Sequence, residues 1–190
     1  ISHDLKTPLT RINLMIEEME NVDLQTSISK NISEMNLMLN HYLDFIKNEK
    51  NENFEEIETQ NFIKDLTFDY SKLNLTRNDS KIILIRKNQI FRALVNILDN
   101  ANKFAEKIYM SSNVSETKWV ITIEDDGPGT SLSQEELVKP FTKGSDQLNQ
   151  GTGLGLSIVQ KLIKLNNGDL KFEDSSHGGL KVLISLEINY

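Results

Sequence analysis

The sequence predicts an α+β protein in which an antiparallel helical hairpin is followed by a two-layer α/β sandwich. Over residues 1–50 the apolar side chains recur at alternating steps of four and three, which places them on one side of a helix. From about Asn53 onward, short β-rich runs alternate with amphipathic segments and glycine-containing turns, a pattern typical of a sheet packed against helices. We therefore divide the chain into a hairpin unit, residues 1–52, and a sandwich unit, residues 53–190.

The hairpin unit carries two apolar seams, one for each predicted helix. Their members are Leu5, Leu9, Ile12, Ile16 and Met19, then Ile28, Ile32, Met35, Leu39, Tyr42 and Ile46. We place the turn between the two helices at Asn21–Thr26, with Asp23 and Thr26 as candidate caps. One hairpin buries such seams poorly, whereas two hairpins paired in a four-helix bundle cover both, so we expect a homodimer.

The sandwich unit is predicted to alternate strands and helices. The strands are expected at Phe54–Thr59, Lys81–Arg86, Lys107–Ser112, Lys118–Glu124, Leu170–Asp174 and Leu180–Ile188. The helices are expected at Gln60–Asn74, Asn88–Phe104, Gln134–Lys139 and Gly153–Leu165. The polar stretch Phe141–Gln150 contains glycine and has no period, so we expect a mobile loop there.

Composition narrows the classes of protein that the chain can belong to. A net charge of −7 and a pI of about 5.1 argue against direct nucleic-acid binding, which needs a basic surface. The absence of cysteine excludes disulfides and cysteine metal sites. The sequence has no apolar run long enough to span a bilayer. Because the chain opens without methionine, directly on a helical pattern, we expect it to be a fragment of a longer protein.

The first helix carries a histidine with a chemically suggestive setting. His3 lies two residues before the seam residue Leu5, on a flank that solvent can reach, and Thr7 shares that flank. Pro8 should bend the helix just beyond His3. An imidazole is a nucleophile at neutral pH when a carboxylate such as Asp4 holds its other N–H. The alternative is that Ser2 or Asp4 caps the helix and His3 is an ordinary surface residue.

Two further segments have the chemistry of a magnesium and adenine contact. Asn96, Asn100 and Lys103 share one helix face, where two amide oxygens and an ammonium suit a hydrated magnesium ion and a phosphate chain. The alternative is a solvated polar face. The run Asp125-Asp126-Gly127-Pro128-Gly129 after a strand is either a tight turn or a contact from Asp125 to the exocyclic amine of adenine.

A glycine-rich loop opens the last predicted helix. It reads Gly151-Thr152-Gly153-Leu154-Gly155, and such loops present backbone N–H groups to phosphates. The spacing differs from the dinucleotide fingerprint, and the lysine of a Walker motif is missing. The loop therefore indicates a phosphate contact but does not by itself specify the ligand.

Taken in order, these segments resemble the sequence boxes of bacterial sensor histidine kinases over essentially all 190 residues. The matching motifs are His3-Asp4-x-x-Thr7-Pro8, Asn96-x-x-x-Asn100, Asp125-x-Gly127-x-Gly129, Phe141, and Gly151-x-Gly153-x-Gly155. The amino-acid sequence around His3 and around Asp125 looks most like that of the EnvZ-type osmosensor subgroup. Thr130 departs from the family, which usually has an aliphatic residue after the second glycine of the Asp125 motif.

The resemblance implies a fold, a set of residue roles and two ligands. The fold is a dimeric phosphoacceptor hairpin followed by a Bergerat-type, Hsp90-like ATPase domain that binds ATP and Mg²⁺. In the hairpin, His3 accepts the phosphate, and Asp4 is the base that orients the His3 side chain. Thr7 positions water when the phosphorylated partner is dephosphorylated. In the ATPase domain the implied roles are Asn100 with Asn96 for magnesium, Lys103 for phosphate, Phe104 and Asp125 for adenine, and Gly127 and Gly129 for the adenine-side turn. Gly151, Gly153 and Gly155 are implied to form the phosphate-side hinge of a flexible lid, which runs from about Thr142 to Gln150 and follows Phe141. Phe141, Thr152 and Leu154 are included among the implied nucleotide-binding residues.

The same resemblance implies partners and a location. We expect autophosphorylation of His3, transfer to an aspartate on the receiver domain of a response regulator, and dephosphorylation of that regulator. The chain would be the cytoplasmic portion of a sensor anchored in the bacterial inner membrane. Two alternatives remain: an ATPase of the same fold that phosphorylates serine, as anti-sigma kinases do, or a degenerate kinase that acts as a dimeric scaffold.

Overall fold

The computed structural model describes Ile12, Ile16 and residues 22–46, 52–142 and 152–188. Its helices are α1 (Val22–Ile46), α2 (Thr59–Thr67), α3 (Lys87–Phe104), α4 (Gln134–Leu137) and α5 (Gly155–Leu165). Its strands are β1 (Glu55–Glu58), β2 (Leu73–Asn78), β3 (Ile82–Ile85), β4 (Ile108–Val114), β5 (Lys118–Asp125), β6 (Asp169–Asp174) and β7 (Leu180–Glu187). Within these residues, no helix is both long and apolar enough to cross a bilayer.

The strands form one large mixed sheet and one small sheet. The large sheet has the order β2-β4-β5-β7-β6, in which β2 runs parallel to β4 and the other neighbours are antiparallel. The small sheet pairs β1 with β3 in antiparallel register. Helices combined with a largely antiparallel mixed sheet confirm the predicted α+β class of the sandwich unit.

The core lies between one face of the large sheet and the helices. Along β5, Trp119, Ile121 and Ile123 are buried on alternate positions, as expected of a strand with one covered face. Trp119 is fully buried, and its indole N–H donates a 2.9 Å hydrogen bond to Ser112 Oγ, so its polar atom is satisfied. The ring of Phe62 on α2 meets Trp119 edge-on at 5.8 Å. This arrangement confirms the two-layer sandwich.

Helix α3 is held at both ends by side chains from other elements. At its start, the backbone N–H of Asn88 donates to Glu52 Oε1 at 2.7 Å, which satisfies one of the free N–H groups of the first turn. At its end, the ammonium of Lys72 donates to the carbonyl oxygens of Asn102 and Ala105 at 3.0 and 2.7 Å. A cation there also complements the helix dipole. Both ends of α3 are thereby fixed.

A single arginine connects the entry of the sandwich unit to α5. Arg86 donates through Nε to the carbonyl oxygen of Glu52 at 3.1 Å, and through Nη1 to that of Leu165 at 2.9 Å. Its guanidinium also lies 4.2 Å from the ring centroid of Phe54, a cation–π contact. Residue 52 thus contacts the sandwich unit.

Three predicted helix bounds in the sandwich unit are wrong. The short helix expected over Gln134–Lys139 ends at Leu137. The helix expected over Gln60–Asn74 ends at Thr67, and Leu73 begins strand β2, which pairs with β4 from Ile108. The sequence gives no local signal of that pairing partner, because the partner lies about 35 residues further along the chain. The helix expected from Gly153 begins at Gly155, because Gly153 has a φ of +68°, which a right-handed helix does not allow.

The described part of the hairpin unit confirms some of the predictions made from its sequence and contradicts others. Ile12 and Ile16 are helical, and Ile16 packs with Ile32 of the second seam. The turn expected at Asn21–Thr26 is wrong for residues 22–26, which are already helical, and Thr26 Oγ1 donates to the Val22 carbonyl oxygen at 2.8 Å instead of capping. The four-helix bundle, the homodimer and the division at residue 52 stay predictions.

Candidate functional site

The polar face of α3 begins beside the glycine-rich loop. Asn96 is half-buried, and its Nδ2 donates to the Arg92 carbonyl oxygen at 2.8 Å. Its Oδ1 lies 3.3 Å from where a Cβ would stand on Gly155, so the absent side chain lets α5 approach this amide closely. Asn100 follows one turn later and is also half-buried. This part of α3 presents the Asn96 amide oxygen next to the N-terminus of α5.

The same helix ends beside the Asp125 turn. Phe104 is half-buried, and the ammonium of the exposed Lys103 lies 5.1 Å from the centroid of its ring. A Cβ on Gly127 would stand 3.1 Å from the carbonyl oxygen of Phe104, so glycine allows the turn to contact the helix end. Asn96 and Phe104 are eight residues apart, about 12 Å along the helix axis. This is the separation between the two ends of the candidate site.

Asp125 is a buried carboxylate at the end of β5, with 8% of its surface exposed. Its Oδ1 accepts hydrogen bonds from the backbone N–H groups of Gly127 at 2.9 Å and Leu180 at 3.2 Å. Burial raises the pKa of this carboxyl, and the two hydrogen bonds oppose that rise without cancelling it. Among the described residues nothing donates to Oδ2, so that oxygen is left for the N–H of a ligand.

The neighbouring carboxylate has a different environment and a structural role. Asp126 Oδ1 accepts from the backbone N–H groups of Glu106 and Lys107 at 2.9 and 2.8 Å. These hydrogen bonds lower the pKa of Asp126, the opposite direction to Asp125. Asp126 therefore ties the Asp125 turn to the segment that leads from α3 into β4.

The glycine-rich loop lies against the residue predicted to precede the lid. The backbone N–H of Phe141 donates to the Gly153 carbonyl oxygen at 2.9 Å, and a Cβ on Gly153 would stand 2.7 Å from atoms of Phe141 and Thr142. Both Gly153 and Phe141 have positive φ, +68° and +65°. Thr152 and Leu154 are buried, and the Leu154 N–H donates to Thr152 Oγ1 at 3.3 Å. The two ends of the lid segment are thus joined at Gly153.

The structure brings together most of the residues that the sequence singles out in the sandwich unit. Helix α3 contacts the glycine loop near Asn96 and the Asp125 turn at Phe104. Four of the predicted site residues lie outside the described residues: His3, Asp4, Thr7 and Gly151. Sequence reasoning recognises a turn at residues 175–179 but misses its contact with the site, where the N–H of Leu180, the first residue of β7, donates to Asp125. The glycine pair at residues 178 and 179 was a signal of a close approach there.

Comparison with known families agrees with this geometry. Residues 85–189, more than half of the chain, match the family described as histidine kinase-, DNA gyrase B-, and HSP90-like ATPase. The fold and the family match define the chain as carrying an ATP-binding domain of this class, and it belongs to this family. Relatives that match almost the whole of this chain are named as sensor histidine kinases.

The sensor histidine kinase CpxA of Escherichia coli (strain K12) is 30% identical over 209 residues, which cover 99% of this chain and 46% of CpxA. The chain spans less than half the length of the curated relatives it matches. The structure of the Acinetobacter baumannii histidine kinase AdeS has a TM-score of 0.70 and 23% identity over 100% of both chains. Full-length ShkA in complex with AMPPNP has a TM-score of 0.70 and 18% identity over 98% of this chain and 44% of ShkA. These two structures support the fold alone.

Proposed function

We propose that the chain is the catalytic core of a sensor histidine kinase, which transfers the γ-phosphoryl group of ATP to His3 and then to an aspartate of a response regulator. The observation that carries the proposal is the position of α3, which contacts the glycine loop near Asn96 and the Asp125 turn at Phe104. This places groups suited to phosphates at one end of the site and groups suited to adenine at the other, about 12 Å apart along α3.

At the adenine end, the free oxygen of Asp125 would accept a hydrogen bond from the exocyclic amine of the base. A buried carboxylate that is left without a donor on one oxygen gains most from such a partner, because few waters compete for it. The missing side chain of Gly127 lets the Asp125 turn lie against the end of α3, and the half-buried ring of Phe104 offers an apolar contact nearby.

At the phosphate end, the backbone N–H groups at the start of α5 would contact the phosphate chain. Lys103 begins near Phe104, and its long side chain would reach along α3 to contact the phosphates. Asn100 and Asn96 fit a Mg²⁺ site, because Nδ2 of Asn96 is engaged with Arg92 while its oxygen accepts no hydrogen bond among the described residues. A bound Mg²⁺ would neutralise charge on the phosphate oxygens. Gly151, Gly153 and Gly155 would let the lid segment change conformation about the Phe141 contact.

The phosphoryl transfer itself would be an in-line displacement. A ring nitrogen of His3 forms the new bond to the γ-phosphorus while the bond to the β–γ bridging oxygen breaks and ADP leaves. Asp4 accepts the N–H of the other ring nitrogen and so fixes the tautomer. The phosphoryl group then passes to the aspartate of the regulator, and Thr7 would position the water that later hydrolyses the aspartyl phosphate.

The experiment that tests the proposal follows radiolabelled γ-phosphate from ATP into the chain. We expect wild type to incorporate label that is lost in acid and retained in base, as a phosphoramidate is. The His3→Gln variant should incorporate none while its affinity for Mg-ATP stays within about twofold, because the nucleotide contacts lie in the sandwich unit. His41→Gln is the matched control and should label normally. Label in His3→Gln, or acid-stable label in wild type, would exclude His3 as the acceptor.

The partners and the location follow from the same proposal. The parent protein would be a homodimer with the hairpins paired, anchored in the inner membrane with this portion in the cytoplasm, and it would dock a receiver domain around His3 and Thr7. We also propose that the chain belongs to the EnvZ-type subgroup, because the residues of the motifs around His3 and Asp125 resemble that subgroup.

A further inference from the structure

The turn between β6 and β7 packs against Asp125 and restricts the position of its carboxylate. The backbone N–H of Gly179 donates to the Asp125 carbonyl oxygen at 3.1 Å, and the next N–H, that of Leu180, donates to Asp125 Oδ1 at 3.2 Å. A Cβ on Gly179 would collide with Asp125 Oδ1 and stand 2.5 Å from its carbonyl oxygen. The position of this turn therefore determines where the carboxylate can lie.

One anchor of the turn is Glu124, on the opposite face of β5 from Asp125. Its Oε2 accepts from the backbone N–H of Ser176 at 3.3 Å and from the hydroxyl of Ser176 at 3.2 Å. The hydroxyl of Ser175 donates to the same oxygen at 3.4 Å. Successive residues of a strand face opposite sides, so Glu124 holds the turn from the outer face while Asp125 is held on the inner face.

A second anchor is a ring stack. The imidazole of His177 lies flat on the phenol ring of Tyr109, with centroids 3.8 Å apart and planes 16° from parallel. Tyr109 on β4 is the register partner of Glu124 on β5, so both anchors lie side by side on the outer face of the sheet. His177 is exposed and Tyr109 is half-buried, which makes the pair accessible to substitution without opening the core.

We propose that Tyr109 and His177 are positioning residues, which act through the turn 175–179 on Asp125 and set how strongly the site prefers a purine that carries an exocyclic amine. This inference rests on the proposed ATP site. If the stack is lost, the turn gains freedom, the Leu180 N–H no longer holds Asp125 Oδ1 steadily, and the other carboxylate oxygen loses its fixed direction. The phosphate contacts come from α3 and α5 and are untouched.

The test compares two nucleotides that differ only in the amine. Mg-ATP and Mg-purine riboside triphosphate, which lacks the amine, are titrated calorimetrically into the chain and into its His177→Ala and His177→Phe variants. We expect wild type to prefer ATP, and His177→Ala to lose about three- to tenfold of that preference by weakening ATP alone, the range that one aromatic pair supports. His177→Phe keeps a flat ring on Tyr109 and should restore the preference.

The outcomes separate this inference from the proposed function. If wild type binds neither nucleotide, the proposed function fails and the inference fails with it. If wild type prefers ATP but His177→Ala keeps the full preference, or weakens both nucleotides in the same proportion, the positioning role is wrong while the ATP site stands. A phenylalanine variant that behaves like the alanine variant would also overturn the role of the stack.

Discussion

The Asp125 carboxylate, which we propose binds adenine, opposes folding stability at neutral pH. Because burial raises its pKa, this group favours the folded state fully only below the ordinary aspartate pKa, and that contribution is lost as the pH rises through the folded-state value. At neutral pH the ionised carboxylate therefore lowers the free energy of unfolding relative to a neutral side chain of the same shape. A ligand N–H at Oδ2 would offset that cost.

We expect Asp125→Asn to raise the melting temperature at neutral pH, with a gain that shrinks as the pH is lowered toward the ordinary aspartate value. Its amide can keep the acceptor that Gly127 and Leu180 use, but it turns an N–H toward the adenine amine. Mg-ATP affinity should therefore fall about ten- to hundredfold, the cost of an unpaired buried donor. Thermal unfolding across pH and calorimetric titration measure both effects.

Asp126→Asn is the matched control and should behave oppositely. Its pKa is lowered by the backbone N–H groups of Lys107 and Glu106, so its charge stabilises the fold at neutral pH, and that contribution is lost as the pH falls through the lowered value. The variant should melt below wild type at neutral pH. An Asp125→Asn protein that also melts below wild type at every pH would contradict the burial argument.

At the scale of residues, the sequence predicts which side chains carry the chemistry of the candidate site better than it predicts which residues surround them. Asp125, Gly127 and Asn96 are recognisable because carboxylate, glycine and amide occur at informative spacings. Gly179 and His177 are not, because their importance comes from a turn that reaches Asp125 and Tyr109 across more than fifty residues of chain. Contacts of that kind depend on sheet register, which no local pattern specifies.

At the scale of elements, the glycine loop before α5 joins two segments through one backbone position. Gly153 combines a φ of +68° with contact distances to Phe141 and Thr142 that leave no space for a side chain. The sequence predicts that a helix and a loop meet here, but it extends the helix to Gly153 because glycine spacing does not reveal φ. It also misses β2, an edge strand whose partner β4 is distant in sequence.

We expect Gly153→Ala to lower the free energy of unfolding by at least about 1–3 kcal/mol, the cost of a side chain in the left-handed region, with added steric conflict at Phe141. Mg-ATP affinity should fall as well, because the loop can no longer keep its contact. Urea unfolding and calorimetry provide the two readouts.

Gly155→Ala is the matched control for the loop. A Cβ there would meet only Asn96 Oδ1, at 3.3 Å, and that amide can move slightly. The helical position favours alanine by about 0.5–1 kcal/mol, so we expect stability within about 1 kcal/mol of wild type. If both alanine variants lose stability equally, the positive φ of Gly153 is not the cause.

At the scale of the whole molecule, the sandwich unit has the contacts expected of an independent folding unit. Its apolar core extends from Ile57 to Ile188 without residues of α1. Glu52 is nevertheless bonded to the sandwich unit. Its carboxylate caps α3, and its carbonyl oxygen accepts a hydrogen bond from Arg86. The motif order in the sequence predicts this unit as a whole, whereas the anchoring role of Glu52 depends on contacts across 34 residues or more.

We expect a fragment of residues 52–190 to unfold cooperatively and to bind Mg-ATP within about threefold of the full chain, because it contains the whole apolar core and all the residues proposed to contact the nucleotide. It should incorporate no label from ATP, since it lacks His3. A fragment of residues 54–190 is the comparison and should be less stable by about 1 kcal/mol, the contribution of a lost cap. A fragment 52–190 that fails to fold would show that the hairpin is part of its core.

Arg86 gives the sandwich unit a fixed mechanical attachment point. Its guanidinium bonds the incoming backbone at Glu52 to the last turn of α5, and Glu52 is bonded in turn to the first turn of α3. A pull or twist on the polypeptide that enters at Glu52 is therefore transmitted to α3 and α5, the two helices that flank the proposed phosphate site. Strain generated before Glu52 would reach the proposed nucleotide site through these helices.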